Sequence, residues 1–179
     1  PSDERFRKLF IPSPGLHMVG ADLSGIELRM LAHYLARYDG GRYAKLLLED
    51  DIHQINADKI GISRRQVKTV TYAFLYGAGD EKIGHSYDQQ LSTTAAKKKG
   101  KEIRAAYVDA VDGLDDLLNA IKKAAERGFI KSIDGRKINV DSPHKALNYC
   151  LQSGAGVIAK RWMVINQETM REAQICAAQ

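Results

Sequence analysis

The sequence predicts a mostly helical α+β fold in which a short sheet accompanies a series of helices. Apolar residues recur at helical spacing between clear start and stop residues, as Ile26, Met30 and Tyr34 do. One Asp134-Gly135 pair, flanked by two short apolar runs, is typical of a β-hairpin. Predicted helical segments outnumber predicted strands, so helices should form most of the core.

Composition limits the classes of protein to consider. The chain has 179 residues, 44% of them hydrophobic, which is enough for one packed core or two small modules. No apolar run approaches the roughly 20 residues that span a bilayer, so no membrane partner is expected. A net charge of +5 is compatible with nucleic-acid binding. Because the chain starts at Pro1 and not at Met, we expect a processed chain or a fragment.

The N-terminal part is expected to contain one strand and one helix. His17–Ala21 is short and apolar enough for a strand that ends just before Asp22. Ser24 and Glu27 have the spacing of a capping box, which predicts a helix start. Asp39-Gly40-Gly41 should end this helix.

Start and stop residues also predict the helices that follow. Ser63 and Gln66 have the spacing of a second capping box, and Asp51 is a good cap for the preceding helix. The helices are expected over residues 42–49, 52–60, 63–77, 80–87, from Thr93 or Thr94 to 112, and 114–127.

The C-terminal part should hold a hairpin and a long helix. Phe129–Ile133 and Arg136–Val140 flank the Asp-Gly pair, whose composition favours a type I′ turn. Ser142-Pro143 then starts a helix that runs to about Ala173. Within it, Gly154 and Gly156 are expected to mark a kink or a close approach to another backbone.

The helix over residues 63–77 has two distinct faces. Its apolar stripe should be buried, and consists of Val67, Val70 and Phe74. Arg64, Lys68 and Tyr72 follow one edge at one-turn spacing, with Tyr76 further round. Two cations followed by aromatic rings suit a ligand that begins as polyphosphate and ends as a flat ring, such as a nucleoside triphosphate. An ordinary amphipathic surface helix is the alternative interpretation.

Five further polar residues each allow two interpretations. Asp22, between the predicted strand and helix, could bind Mg²⁺ or could simply form a turn. Glu27 could serve only the capping box, and His53 could be a partly buried structural histidine. Asn148 and Gln152, one helical turn apart, could contact base edges or sugars, or could be surface residues.

Taken in order, these stretches match the motifs of one family. Arg64, Lys68, Tyr72, Tyr76 and Gly77 have the spacing of its motif B, on the fingers helix. The other matching stretches are Asp22-Leu23-Ser24-Gly25-Ile26-Glu27-Leu28-Arg29 (motif A), Leu31-Ala32-His33, Asp51-Ile52-His53, Asp134-Gly135-Arg136 and Asn148-x-x-x-Gln152. From about Val19 to about Met163, the chain therefore resembles the polymerase domain of A-family DNA polymerases, especially those of podovirus-type bacteriophages.

The resemblance implies roles for individual residues in attack of a primer 3′-hydroxyl on a deoxynucleoside triphosphate. Asp22 and the backbone carbonyl of Leu23 would bind two Mg²⁺ ions, and Lys68 would support catalysis by stabilising or protonating the pyrophosphate. Glu27 would exclude a ribose 2′-hydroxyl. The nucleotide-binding residues would be Glu27, His53, Arg64, Lys68 and Tyr72. The template and primer would contact Tyr76, Gly77, Arg136, Asn148 and Gln152.

The resemblance also implies an organisation and partners. Residues 1–38 would form part of a palm, residues 39–127 the inserted helical fingers, and residues 128–179 a palm hairpin and long helix. The partners would be primer-template DNA, a deoxynucleoside triphosphate and a processivity factor that binds through a thumb. The protein would act in the cytoplasm of an infected bacterial host.

One departure from the family pattern restricts these expectations. The family's motif C, a His-Asp-Glu on a hairpin, does not occur in residues 1–179. We therefore expect a fragment that does not extend primers by itself and whose exposed palm surface favours association. Two alternatives stay open: a non-enzymatic DNA-binding remnant, and a metal-dependent phosphohydrolase using Asp22, Asp51 and His53.

Overall fold

Helices dominate the computed structural model, which describes residues 4–177. After a 3₁₀ helix, Glu4–Leu9, seven α-helices precede a hairpin, a second 3₁₀ helix, Pro143–Lys145, and an eighth α-helix. The helices are α1 (Ile26–Asp39), α2 (Arg42–Glu49), α3 (Ile52–Ile60), α4 (Arg64–Leu75), α5 (Asp80–Tyr87), α6 (Thr93–Ala110), α7 (Leu114–Ala125) and α8 (Ala146–Ala177). The strands are β1 (Phe129–Lys131) and β2 (Lys137–Asn139). The predicted mostly helical fold with a small antiparallel sheet is confirmed.

The start of α1 differs from the prediction. Gly25 occupies the cap position in a left-handed conformation, with φ of 58°, and no side chain caps the helix. The predicted capping box between Ser24 and Glu27 is therefore wrong, because Ser24 lies one residue too early. Ser24 instead accepts a hydrogen bond at its carbonyl from Arg29 Nε. This leaves the Glu27 carboxylate free for another partner.

The predicted strand over His17–Ala21 is also wrong. Residues 10–25 contain no strand, and the side chains of residues 5–22 are exposed. A strand needs a neighbour to take its backbone hydrogen bonds. Within the part of the chain that the structure describes, the sheet contains β1 and β2 alone.

The hairpin forms with shorter strands and a different turn. β1 and β2 pair antiparallel, with Ile130 opposite Ile138. Type I′ requires positive φ at both central residues, but Gly135 has a φ of 83° and Asp134 does not share this sign. Gly135 N–H donates to the Ser132 carbonyl, and Ser132 N–H donates to the Arg136 carbonyl. The loop is thus a three-residue connection with its left-handed residue last.

The core is built around α1 and α4. Leu31 and Leu35 of α1 are fully buried. The predicted stripe of α4 is confirmed, since Val67, Val70 and Phe74 are all buried. The Phe74 ring lies 5.0 Å from the ring of Tyr107 on α6. Burial of one such side chain stabilises the fold by about 1.5–3 kcal/mol, so α4 is anchored through this face.

Close helix contacts depend on glycines, including Gly100 and Gly154. A Cβ atom at Gly100 of α6 would overlap the backbone carbonyl of Asp80, at the start of α5. A Cβ at Gly154 of α8 would overlap the Met30 side chain, so the close approach there is to a side chain and not to another backbone as predicted. Gly156 faces open space, and α8 continues without interruption past both positions. The expectation for Gly156 was therefore wrong.

Candidate active site

α4 presents the predicted polar face to solvent. Ser63 Oγ accepts a hydrogen bond from Gln66 N–H, and Gln66 Oε1 accepts one from Ser63 N–H, so the predicted capping box is confirmed. The buried stripe fixes the rotation of the helix about its axis. Arg64 and Lys68 are consequently exposed, and Tyr72 is half-buried.

Arg64 is held by the residue that caps the preceding helix. Its Nε donates to Asp51 Oδ2 at 2.6 Å. Asp51 Oδ1 accepts from the backbone N–H groups of His53 and Gln54, as expected for a cap of α3. The hydrogen bond from Arg64 is the main cause that holds the pKa of Asp51 below its ordinary value. Sequence spacing indicated the cap but not the bond to Arg64.

His53 lies between the cations and the aromatic part of the face. Its ring is 6.2 Å from the Tyr72 ring, at an angle of 50°. Burial lowers the pKa of His53, the charges of Arg64 and Lys68 lower it further, and Asp51 opposes them. Its Nδ1 is buried and has no hydrogen-bond partner among the described residues. The imidazole is therefore disposed to be neutral, with one nitrogen unpaired.

Lys68 is the cation of this face without a protein partner. Its side chain is exposed, and within residues 4–177 it makes no hydrogen bond or ion pair. An ammonium group in this setting can bind an anion without first breaking a contact within the protein. Arg64, His53 and Lys68 thus converge beside the N-terminus of α3, whose backbone N–H groups also favour anions.

At the other end of α4, Tyr76 connects to α1. The Tyr76 hydroxyl donates to Glu27 Oε1 at 2.8 Å, and this bond is the main cause that raises the pKa of Tyr76. Burial and the charge of Glu27 raise the pKa of Tyr72. The structure therefore brings Glu27 together with both tyrosines. Helical spacing predicted that Tyr76 lies away from the edge formed by Arg64, Lys68 and Tyr72. No local sequence pattern indicated the hydrogen bond between Tyr76 and Glu27.

The end of α4 also docks on the start of α8. Asn148 Nδ2 donates to the carbonyl of Leu75, the last residue of α4, at 3.2 Å. Gly77, with φ of 72°, lies against the backbone of residues 144–145. The amide of Gln152 interacts with the Tyr76 hydroxyl and opposes the rise in its pKa. These three predicted residues therefore meet at one junction.

Asp22 borders an open groove of about 440 Å³, which α8 and the hairpin loop also line through Ile158 and Ile133. The carboxylate is exposed and makes no hydrogen bond or ion pair with the described residues. Its oxygens, with the adjacent backbone carbonyl of Leu23, are the hard ligands that Mg²⁺ prefers. The chemistry of these donors therefore fits a cation that also takes water or phosphate ligands.

The predicted DNA contact of Arg136 and the alternative phosphohydrolase site find no direct support in this geometry. Arg136 is exposed, and its Nε donates to Asp134 Oδ2 in the same loop, away from the α4 face. Across residues 4–177, no three His, Cys, Asp or Glu side chains form a potential metal site. The phosphohydrolase alternative required Asp22, Asp51 and His53 in one cluster, which the structure does not form.

No helix among the described residues is long and apolar enough to cross a membrane.

Comparisons with known proteins identify the family. The sequence model of DNA polymerase family A matches residues 1–179. The DNA-directed DNA polymerases of Escherichia phage T7 and Enterobacteria phage T3 are each 38% identical over 169 residues, covering 86% of this chain and 23% of each relative. The chain thus spans about a quarter of the length of these relatives.

A solved structure shows the same fold. It is described as the POL domain of Pol1 from M. smegmatis in complex with DNA primer-template and dNTP. The TM-score is 0.66 at 25% sequence identity, over 86% of this chain and 30% of that one. The resemblance expected from motifs A and B is thereby confirmed, with support for the phage type from the T7 and T3 relatives. This chain belongs to DNA polymerase family A.

Proposed function

We propose that this chain forms the nucleotide-binding part of a DNA-directed DNA polymerase, which transfers a nucleotide from a deoxynucleoside triphosphate to a primer 3′-hydroxyl. One observation carries the proposal: α4 gathers a cationic group at one end and a carboxylate with two tyrosines at the other. The family membership and the T7 and T3 relatives support the same reaction. Each part of the nucleotide then has a counterpart along the helix.

The triphosphate is assigned to the N-terminal half of the α4 face. Arg64 and Lys68 supply charge-assisted donors for phosphate oxygens. His53 has a lowered pKa in the free chain, and a nearby phosphate favours its protonated form. Lys68 is exposed and unpaired among the described residues, so it can also stabilise the pyrophosphate as its charge develops or donate a proton to it.

The sugar and base are assigned to the C-terminal half. Tyr72 offers a half-buried ring to stack on, and Glu27 lies beside it. The hydrogen bond from Tyr76 fixes the Glu27 carboxylate in place. A fixed carboxylate at the sugar can exclude a 2′-hydroxyl by crowding.

Metal binding is assigned to Asp22 and the carbonyl of Leu23. When bound there, two Mg²⁺ ions would stabilise charge on the attacking and leaving oxygens. Asp22 supplies an unpaired carboxylate, and phosphate oxygens of the nucleotide would supply further ligands. A further carboxylate is needed for a two-metal site, so nucleotide binding is a more direct test of this chain than primer extension is.

Template and primer contacts are assigned to the junction of α4 with α8 and to the hairpin. Tyr76 and Gly77 would lie at the templating base, and Asn148 and Gln152 would reach sugars and minor-groove acceptors. Arg136 would contact the backbone after release from Asp134. The polymerase would act in the cytoplasm of an infected bacterium, with a processivity factor bound elsewhere on the complete enzyme.

Photo-crosslinking tests this assignment. The 179-residue chain is irradiated with 8-azido-dATP and Mg²⁺, and the modified peptides are identified by mass spectrometry. We expect adducts on α4 around Tyr72, suppressed by excess dATP and by Lys68→Ala. Lys98→Ala is the matched control, because Lys98 is an exposed lysine of α6 without a partner among the described residues. DNA binding without specific labelling of α4 would favour the non-enzymatic alternative.

A further inference from the structure

Asp51 connects two of the groups assigned to the triphosphate. Its Oδ1 accepts from the backbone N–H groups of His53 and Gln54, and its Oδ2 accepts from Arg64 Nε. One carboxylate therefore ties the first turn of α3 to the first residue of α4. The separation between His53 and Arg64 depends on this residue as well as on the packing of the two helices.

The contact uses one part of the guanidinium and leaves another available. A guanidinium carries five N–H donors in a planar fork. Asp51 takes the Nε donor, and the Arg64 side chain makes no other hydrogen bond within residues 4–177. The two terminal nitrogens therefore remain free, and together they can bind a phosphate in bidentate fashion.

Fold stability does not account for this ion pair. The side chains of Arg64 and Asp51 are 51% and 45% exposed. Exposed pairs of this kind contribute little to stability. What the pair does provide is order, because a free arginine must lose its rotamer freedom when it binds an anion. That loss corresponds to about two- to tenfold in affinity for one long side chain.

We propose that Asp51 is a positioning residue, which holds Arg64 ready for the triphosphate although its own charge repels that ligand. This inference rests on the proposed function of the α4 face. When the Asp51 charge is removed, loss of the positioning of Arg64 should weaken triphosphate binding, whereas loss of the repulsion should strengthen it. Repulsion at an exposed position is screened by salt, whereas the ordering of Arg64 is not, so positioning should dominate at physiological ionic strength.

Calorimetric titration of the 179-residue chain with inorganic tripolyphosphate and with dATP separates the two effects. Asp51→Asn keeps a good helix cap but removes the charge that holds Arg64. We expect this variant to bind both probes about two- to tenfold more weakly. Asp58→Asn is the matched control: Asp58 lies on the same helix, its carboxylate contacts only Gln54 Nε2 among the described residues, and binding should not change.

The Arg64→Gln background distinguishes positioning from a structural role. If Asp51 acts through Arg64, adding Asp51→Asn to Arg64→Gln should not weaken binding further, and relief of the Asp51 repulsion should make it slightly tighter at low salt. An equal loss in both backgrounds would overturn the inference, as would unchanged or tighter binding by Asp51→Asn. If Arg64→Gln weakens binding while Asp51→Asn does not, the triphosphate site stands and the inference alone fails. If the wild-type chain binds neither probe, both fail.

A measurement on the wild-type chain covers the case in which Asp51→Asn does not fold. In a ¹H–¹⁵N spectrum of the arginine side chains, the Nε–H of Arg64 should be shifted from the other exposed arginines and protected from solvent exchange. An Arg64 signal that matches a freely solvated arginine would contradict the proposal.

Discussion

The two ends of α4 are held in different ways. Its N-terminal end is fixed by exposed polar contacts, the Ser63–Gln66 capping box and the Arg64–Asp51 pair. Its C-terminal end is packed, with Phe74 buried against Tyr107 and Leu75 bound by Asn148. Exposed contacts are replaced by solvent or ligand at small cost, and packed contacts are not. The structure therefore combines an adaptable end, to which we assign the phosphates, with a fixed end, to which we assign the sugar and base.

Loss of the Phe74 ring should lower the free energy of unfolding more than any other change at either end of α4. Phe74→Ala removes a buried aromatic side chain beneath the fixed end, and such changes cost about 3–5 kcal/mol. Urea denaturation followed by circular dichroism measures the loss. Lys68→Ala, on the exposed face, should stay within about 0.5 kcal/mol of wild type. Equal effects of the two substitutions would mean that α4 is not anchored by its C-terminal half.

A side chain at Gly77 should have the next largest effect. Gly77 has a φ of 72° and lies against the His144 carbonyl. The left-handed conformation costs a residue with a Cβ about 1–2 kcal/mol. Gly77→Ala should therefore lower the free energy of unfolding by at least this amount. Gly61→Ala is the matched control, because Gly61 has a φ of 75° but open space around its Cα. Any excess at Gly77 measures the contact with residues 144–145, in the 3₁₀ helix that precedes α8.

Removal of the Asn148 amide should have a smaller effect. Asn148→Ala loses the hydrogen bond to the Leu75 carbonyl, which contributes about 0.5–1.5 kcal/mol. Hydrogen exchange should show faster exchange at the last turn of α4 and unchanged exchange at its first turn. Faster exchange at both ends would contradict the separation of the two halves.

Whether the sequence predicts a contact in this arrangement depends on how far apart the two residues are along the chain. The Ser63–Gln66 capping box and the Asp51 cap were predictable, because each joins residues within three positions. The buried stripe of Val67, Val70 and Phe74 follows from helical spacing. The resemblance to the family's motifs places Glu27 and Tyr72 in one predicted nucleotide site, and the charge of Glu27 does act on Tyr72 in the structure.

Contacts between distant segments could not be predicted in the same way. The bonds Arg64–Asp51, Tyr76–Glu27 and Asn148–Leu75 join residues 13, 49 and 73 positions apart. They exist because α3, α1 and α8 pack around α4, and no local pattern encodes them. The failed strand prediction at His17–Ala21 has the same origin, since a strand depends on a partner that the segment itself does not specify.

The smallest expected effect is a change in titration at the adaptable end. The pKa of His53 lies below its ordinary value of 6.5. Arg64→Gln should raise it and Asp51→Asn should lower it, which NMR titration of the imidazole would show. Because the folded chain disfavours the charged imidazole, the unfolded chain takes up the proton more readily, and stability should fall as pH drops below 6.5. His53→Gln should reduce that dependence; an unaltered profile would contradict this account.

The central claim is that α4 binds phosphates at one end and the sugar and base at the other. Titration with one ligand that has only phosphates and one that has all three parts tests it most directly. Calorimetry compares tripolyphosphate with dATP for the wild-type chain, Lys68→Ala and Tyr72→Ala. Lys68→Ala removes a charge-assisted contact and should weaken both ligands about tenfold or more. Tyr72→Ala should weaken dATP alone and leave tripolyphosphate unchanged. If Tyr72→Ala weakens both ligands equally, or Lys68→Ala weakens neither, α4 does not divide the nucleotide between its two ends.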